Sequence, residues 1–289
     1  MKAMVTGAGG QLAQALIATV PQGSAIEALD HAALDVTKPA EVVAALARAG
    51  PDVVLNCAAY TAVDRAEAEA EQAMLVNAAA VGHIAQSCAA MGARLVQIST
   101  DFVFSGEASH PYRPDSEARP LGAYGRSKLA GEQAALTNPD ALVVRTAWVY
   151  GAHGANFVKT MLRAMVERDE VNVVADQVGT PTHALSLART LWELVARRAR
   201  GLYHVTDAGV ASWYDFAVAI QDEALALGLL NRKIPVVPIT TAHYPTPARR
   251  PAFSVLDKSA TWALLGRPAD HWRMELRVML AAMGKTGVG

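Results

Sequence analysis

The chain has 289 residues, 52% apolar and 18% charged, and its 26 basic and 27 acidic side chains leave a net charge of −1. This composition supplies a large core and excludes disorder, and Arg197-Arg198-Ala199-Arg200 and Arg249-Arg250 are too short to give a basic field for nucleic acid or a membrane surface. The two cysteines, Cys57 and Cys88, imply reduced structural thiols; with no signal segment, spanning apolar run or metal-type His/Cys cluster expected, the anticipated location is cytoplasmic.

In chain order, Lys2–Thr6 reads as a first strand and Gln11–Ala18 as a helix, with a glycine-rich turn between them. Gly7, Gly10 and Ala13 then have the spacing of a dinucleotide-binding loop. Gly7 permits the tight turn, Gly10 lets the backbone approach a pyrophosphate, and Ala13 takes the third position, where helix and strand pack closely. The helix amides face the phosphates.

Further strands are expected at Ala25–Leu29, Asp52–Cys57, Arg94–Ser99 and Ala141–Thr146. Helices are expected at Pro39–Ala49, with Thr37 as N-cap and Gly50-Pro51 as its stop, and at Met74–Met91, closed by Gly92. Apolar strands alternating with helices predict an α/β fold with a doubly wound, parallel, Rossmann-type sheet. Ligands of such sheets collect at the carboxyl ends of the strands.

Asp30 ends the second strand about 20 residues past the glycine loop, where a carboxylate holds ribose hydroxyls and repels a 2′-phosphate. No arginine follows at 31–33, so NADH is expected to be usable; the alternative is that Asp30 only caps a turn. Asp35 and Val36 are placed to meet the adenine edge, and the small residues of Asn56–Thr61 to lie under the cofactor, although either segment also suits a plain loop. A hydroxyl from Ser99 or Thr100, at the end of the next strand, is expected to share a substrate carbonyl with Tyr124.

Tyr124 and Lys128 stand one turn apart on a predicted helix. A phenol titrates near 10, and a neighbouring ammonium lowers that value; reaching about 7 takes roughly 4 kcal/mol of differential stabilisation. Such a group suits general acid–base work on a carbonyl or alcohol, whereas an isolated Tyr-x-x-x-Lys pair is more often a solvated helix face.

After Trp148 the pattern predicts helices at Asn156–Glu167, His183–Arg198 and Trp213–Leu227, a strand at Gly201–Val205, and an ordered proline-rich loop system over Ile234–Arg250. The expected division is a dinucleotide-binding domain over 1–147, with 168–198 packing back onto it, and a smaller α/β substrate domain over 148–167 and 199–289. The five tryptophans read as packing residues, Trp148 alone being expected at the site.

The glycine loop, Asn56–Glu67, Ser99–Phe104 and Tyr124–Lys128 together resemble the extended short-chain dehydrogenase/reductase family. Arg145–Gly151, Asn156–Met161, Asp176–Pro181 and Tyr244–Pro251 narrow the resemblance to its dTDP-4-dehydrorhamnose reductase branch, over Met1 to about Met283. The resemblance implies reduction of the 4-keto group of dTDP-4-dehydro-6-deoxy-L-mannose, giving dTDP-L-rhamnose, with NADPH or NADH. It makes Tyr124 the acid, Lys128 its tuner and ligand of the nicotinamide ribose, with both residues against the cofactor, and Thr100 an adjusting hydroxyl. It places the cofactor against Gly10, Gln11, Leu12, Asp30, Asp35, Val36, Ala59, Tyr60 and Thr61, and the dTDP-linked keto sugar against Thr100, Asp101 and Trp148. Arg249 and Arg250 are of the type that grips a diphosphate.

Three positions depart from the pattern, with Ala13 in place of glycine, Phe102 in place of tyrosine and Gly122 in place of asparagine. Some members carry magnesium on glutamates at a dimer contact; Ala15 stands where one is expected, so no metal is expected here. Monomer and homodimer both stay open. Two other functions remain at this point: an epimerase or dehydratase using the same Tyr/Lys pair, and a non-catalytic regulatory subunit on the same fold.

Overall fold

The structure, a computed structural model, describes residues 1–285; the remainder of the expected second domain, 286–289, lies outside the described residues. The first half runs β1 (Lys2–Thr6), α1 (Gln11–Ala18), β2 (Ala25–Leu29), α2 (Pro39–Ala49), β3 (Val53–Asn56), α3 (Ala70–Met74), α4 (Ala80–Met91), β4 (Arg94–Thr100), α5 (Ala123–Ala135) and β5 (Leu142–Thr146). The second half contains β6 (Val149–Tyr150), α6 (Phe157–Glu167), β7 (Val171–Val174), β8 (Val178–Gly179), β9 (Thr182–His183), α7 (Ala184–Ala196) and β10 (Gly201–His204). It continues with β11 (Ala211–Ser212), α8 (Trp213–Ala226), β12 (Val236–Ile239), α9 (Ser259–Leu265) and α10 (Trp272–Lys285).

Six strands form one parallel sheet in the order β10-β5-β4-β3-β1-β2. The sheet is covered on both sides, which is why its central strands are apolar throughout. On one side Leu187, Leu191 and Trp192 of α7 join Leu16 of α1 over Val5 and Leu55. On the other, Leu46 of α2 and Ile84 of α4 pack over Met4, Val54 and Leu95. Strand order reverses around β1 and β3, so the loops that follow these two strands flank the switch point where ligands bind.

The expected strands and helices of this half are present, with four corrections. Thr37 does not cap α2: its hydroxyl donates to Asp35 Oδ1 at 2.7 Å, and Lys38 occupies the cap position without a side-chain bond. The third helix starts at Ala70 rather than Met74, because a π turn over Leu75–Ala79 joins α3 to α4. That continuous helix, Ala70–Met91, is long and apolar enough to cross a membrane, contrary to the expectation that no run would be. Its residues Val81, Ile84, Ala85 and Cys88 are buried in the core beneath the sheet, while Met74, Leu75 and Met91 are exposed. Finally β10, expected in the smaller half, is the edge strand of the large sheet, paired with β5. Periodicity cannot assign a strand to a sheet; only the register Gly201↔Leu142 does.

Helix α7 packs on the sheet, with Trp192 Nε1 donating to the Leu16 carbonyl at 3.2 Å, whereas β7, also within 168–198, pairs with β12. The remaining elements form their own core around Phe216, Ile220, Leu276 and Leu280, extended by Met165, Val171 and Ile234. The proline-rich stretch contains β12, which pairs in parallel with β7.

Candidate active site

The glycine loop is built by two steric constraints. Gly7 has φ 65°, and a Cβ there would lie 2.8 Å from the Ala58 amide nitrogen, so this position demands glycine twice over. Gly10 caps α1 with no side chain, and a Cβ there would approach the Gly7 carbonyl to 3.2 Å. The first amides of α1 therefore open onto the cleft without a side-chain partner, an arrangement suited to anions. Ala13 is fully buried in the core and its methyl is accommodated there.

One cleft runs along the strand ends in two connected parts. The inner part, about 630 Å³, is lined by Gly10, Gln11, Leu12, Thr100, Asp101, Tyr124, Lys128, Trp148 and Arg250. The outer part, about 840 Å³, is lined by Gly7, Asp30, Asp35, Val36 and Tyr60, and Ala59 and Thr61 border both. Every expected site residue except Arg249 thus faces this cleft; Arg249 is an exposed side chain outside it. Asp30 lines the outer part and also caps its turn, accepting from the Ala33 amide at 2.9 Å.

The Tyr/Lys pair meets its expected place but not its expected electrostatics. Burial pushes the Tyr124 phenol up to about 12, against a hydrogen bond with Thr100 that acts the other way. Lys128 does not depress it, because its Nζ donates to the Ile98 carbonyl at 2.6 Å, and burial brings the ammonium itself down to about 8. The pair is a protonated phenol beside a desolvated amine. Ser99 and Thr100 both line the cleft; the Thr100 hydroxyl donates to Asp101 Oδ1 at 3.0 Å, and the Ser99 hydroxyl to Glu132 at 2.5 Å. Asp101 is buried beside Thr100, and desolvation raises its carboxyl to about 6.

Trp148 adopts φ 47°, a left-handed conformation rare for a bulky residue. Its indole stacks on Trp213 with centroids 3.5 Å apart, and a Cβ on Gly179 would collide with it at 2.7 Å. Trp213 itself lines the cleft, correcting its reading as a packing residue only. No periodicity announces it; it sits at the mouth because Ser212 caps α8 immediately before it.

Other positions escaped the sequence because they act through neighbours. Asn77, on the π turn, accepts from the Tyr60 amide at 2.9 Å and donates to the Tyr60 carbonyl and to Ser127 on α5. It fixes the outer wall of the cleft to the helix of the Tyr/Lys pair. Arg250 is held by Asp64, with Nη2 to Oδ2 at 2.9 Å, and borders both the inner cleft and a second cavity of about 240 Å³ lined by Phe157, Met161, Asn172, Trp213 and Tyr244. Among the described residues no group of three or more His, Cys, Asp or Glu is arranged to hold a metal ion, and Ala15 is buried against the sheet.

A doubly wound parallel sheet with a glycine loop at its switch point and a Tyr/Lys pair on the adjoining helix defines an oxidoreductase of the extended short-chain dehydrogenase/reductase class. Within that class, the chain belongs to the family described as the RmlD substrate binding domain, whose model matches residues 1–285. It is 40% identical over 283 residues to a dTDP-4-dehydrorhamnose reductase of Aggregatibacter actinomycetemcomitans, covering 95% of this chain and 96% of that one. The crystal structure of a dTDP-4-dehydrorhamnose reductase from Clostridium acetobutylicum superposes with a TM-score of 0.93 at 38% identity, covering 98% and 99% of the two chains. That of the Bacillus anthracis reductase, a complex with NADP, gives 0.92 at 35% identity, covering 97% and 99%.

Proposed function

We propose that the protein reduces the 4-keto group of dTDP-4-dehydro-6-deoxy-L-mannose to dTDP-L-rhamnose with NADPH or NADH. The observation that carries this reading is the convergence of the Tyr124 phenol, Thr100 and Lys128 on the cleft that the uncapped α1 amides also face. The relatives named dTDP-4-dehydrorhamnose reductase and the NADP complex support the substrate and the cofactor.

The glycine cradle fits a dinucleotide, since Gly7 and Gly10 leave room where side chains would intrude and the α1 amides supply donors for a pyrophosphate. A nicotinamide cofactor held in this cradle would supply the hydride that the carbonyl carbon receives. Tyr124, protonated because burial holds its phenol up, gives its proton to the carbonyl oxygen, and Thr100 shares the load on that oxygen. The stacked Trp148 and Trp213 border the sugar and help exclude water. The division of labour follows the fold: the large sheet with α7 holds the dinucleotide, and the elements around α6, α8, α10 and the proline-rich loop hold the nucleotide sugar. A cytoplasmic location suits this chemistry.

Supplying dTDP-4-keto-L-rhamnose and following NADH and NADPH oxidation separately tests the reading, and absence of oxidation with either cofactor refutes it. The same assay examines Asp30. Wild-type enzyme is expected to accept NADH comparably with NADPH, and Asp30→Ala to shift kcat/KM toward NADPH by removing repulsion of the 2′-phosphate. A strong wild-type NADPH preference unaltered by the substitution would show that Asp30 does not face the ribose.

For the diphosphate the geometry favours Arg250 over Arg249, because only Arg250 faces both cavities. Arg250→Ala should weaken dTDP binding by roughly 10- to 150-fold, the loss of a charge-assisted hydrogen bond, while Arg249→Ala stays near neutral. Calorimetric titration with dTDP decides; unchanged affinity in Arg250→Ala would move the diphosphate elsewhere.

A further inference from the structure

Two contacts leave opposite ends of one short turn. The 3-10 turn Arg65–Glu67 follows Asp64, directly after the cleft-lining Val63. Asp64 accepts from Arg250 and from the Ala248 amide, at 3.2 Å, and so anchors the proline-rich loop. At the other end Glu67 Oε1 accepts from the Ala123 amide at 2.8 Å, and Ala123 is the first residue of α5, the helix that carries Tyr124 as its second. The turn is braced on its outer side, where Glu69 accepts from the Tyr60 hydroxyl at 2.6 Å and pairs with Arg65 at 2.7 Å.

Helix N-termini leave their first amides without internal partners, and a cap side chain ordinarily satisfies one of them. Here the cap residue is Gly122, which has no side chain; Glu67 supplies the acceptor from 56 residues away. Gly122 has φ −128° and ψ 175°, which any residue can adopt, so a larger side chain there would be met only by the Glu67 carboxylate, which would have to swing aside. A Cβ there would lie 2.4 Å from Glu67 Oε1. Glu67 and Gly122 are thus a matched pair at the root of the Tyr124 phenol.

We propose that Glu67 is a positioning residue for Tyr124, and that the turn Asp64–Glu67 couples the seating of the Ala248–Arg250 loop to the placement of the phenol. This rests on the proton-donor role given to Tyr124 above. Loop and phenol belong to different cavity walls, and this turn is bonded to both. A substrate whose nucleotide end seats the loop thereby also fixes the first turn of α5, which makes the effect one on turnover rather than on affinity.

The test compares kcat, KM and NADPH affinity in Glu67→Ala, Glu67→Gln, Gly122→Ala, Asp64→Ala, the Asp64→Ala/Glu67→Ala double variant and Tyr124→Phe. Glu67→Ala should lose about 10- to 100-fold in kcat, the scale of a misplaced reacting group, with KM for the keto sugar and NADPH affinity within about two-fold. Glu67→Gln, whose amide oxygen accepts the same hydrogen bond, should recover most of that loss. Gly122→Ala removes no hydrogen-bonding group but displaces Glu67, and should reproduce the fall in kcat even if Glu67→Ala does not fold. The effects of Asp64→Ala and Glu67→Ala on kcat should be less than additive. Parental kcat in Glu67→Ala or Gly122→Ala alongside an impaired Tyr124→Phe overturns the positioning role alone, and strict additivity overturns the coupling. Parental turnover in Tyr124→Phe overturns the proton-donor reading and the proposal with it.

Discussion

Tyr124→Phe lowers turnover by about 10²–10⁴-fold, the range for losing a general acid, while fold and NADPH affinity persist. In the proposed mechanism the phenol is the proton donor, placed with Thr100 at the cleft, and burial keeps it protonated at neutral pH by raising it to about 12. Phenylalanine retains the ring that packs edge-on to Phe102, at 5.6 Å between centroids, so the substitution removes only the hydroxyl. Stopped-flow turnover at saturating substrate is the measurement, and a rate within a few-fold of the parent would take Tyr124 out of the mechanism. A pH profile adds a second signature. Burial lowers Lys128 to about 8, so its positive charge is present below that pH and lost above it. The parent kcat/KM should therefore fall as pH rises through about 8. A profile flat through that range would mean that the charge on Lys128 is not used.

Arg145→Met destabilises the protein by about 3–5 kcal/mol, lowering Tm by roughly 6–20 °C for a chain of this size. Arg145 on β5 and Glu132 on α5 form a bidentate pair at 2.8 and 2.7 Å, with 5% and 3% of their side chains exposed. Removing the guanidinium strands a buried carboxylate whose remaining partner is the Ser99 hydroxyl. The cost comes from that uncompensated charge rather than from the attraction lost, so Arg145→Met combined with Glu132→Leu should recover most of the stability. Calorimetric unfolding of the single and double variants tests this; a single variant within about 1 kcal/mol of the parent would show that water or a rearranged donor reaches Glu132. The pair also reaches the site, since Glu132 lies one turn beyond Lys128 and its charge supports the ammonium against burial.

Much of the fold was legible because it repeats one local pattern. Lys2–Thr6, Gln11–Ala18, Ala25–Leu29 and Pro39–Ala49 occur at the expected boundaries, since an apolar strand, a glycine or proline stop and an amphipathic helix are each decided within a few residues. The glycine loop was equally plain, its constraint being steric and its spacing fixed by one turn. The Tyr124/Lys128 pair could be found because helical geometry alone puts residues four apart on one face.

What the sequence by itself determined was therefore the α/β sheet, the dinucleotide cradle and the identity of the candidate acid, all consequences of short-range geometry. Tertiary structure decided the rest, because it depends on which distant segments touch. It assigned Gly201–His204 to the large sheet, brought Trp213 onto Trp148, and set the Ser99 hydroxyl on Glu132 and the Thr100 hydroxyl on Asp101. It also turned Lys128 toward the Ile98 carbonyl, so that the phenol is governed by desolvation and not by the ammonium one turn away. Asp64 and Glu67 lie in a segment that carries the family resemblance, but nothing along the chain gives either a role of its own. They acquire their roles only because folding places Arg250 and the uncapped amide of Ala123 within hydrogen-bond reach of them.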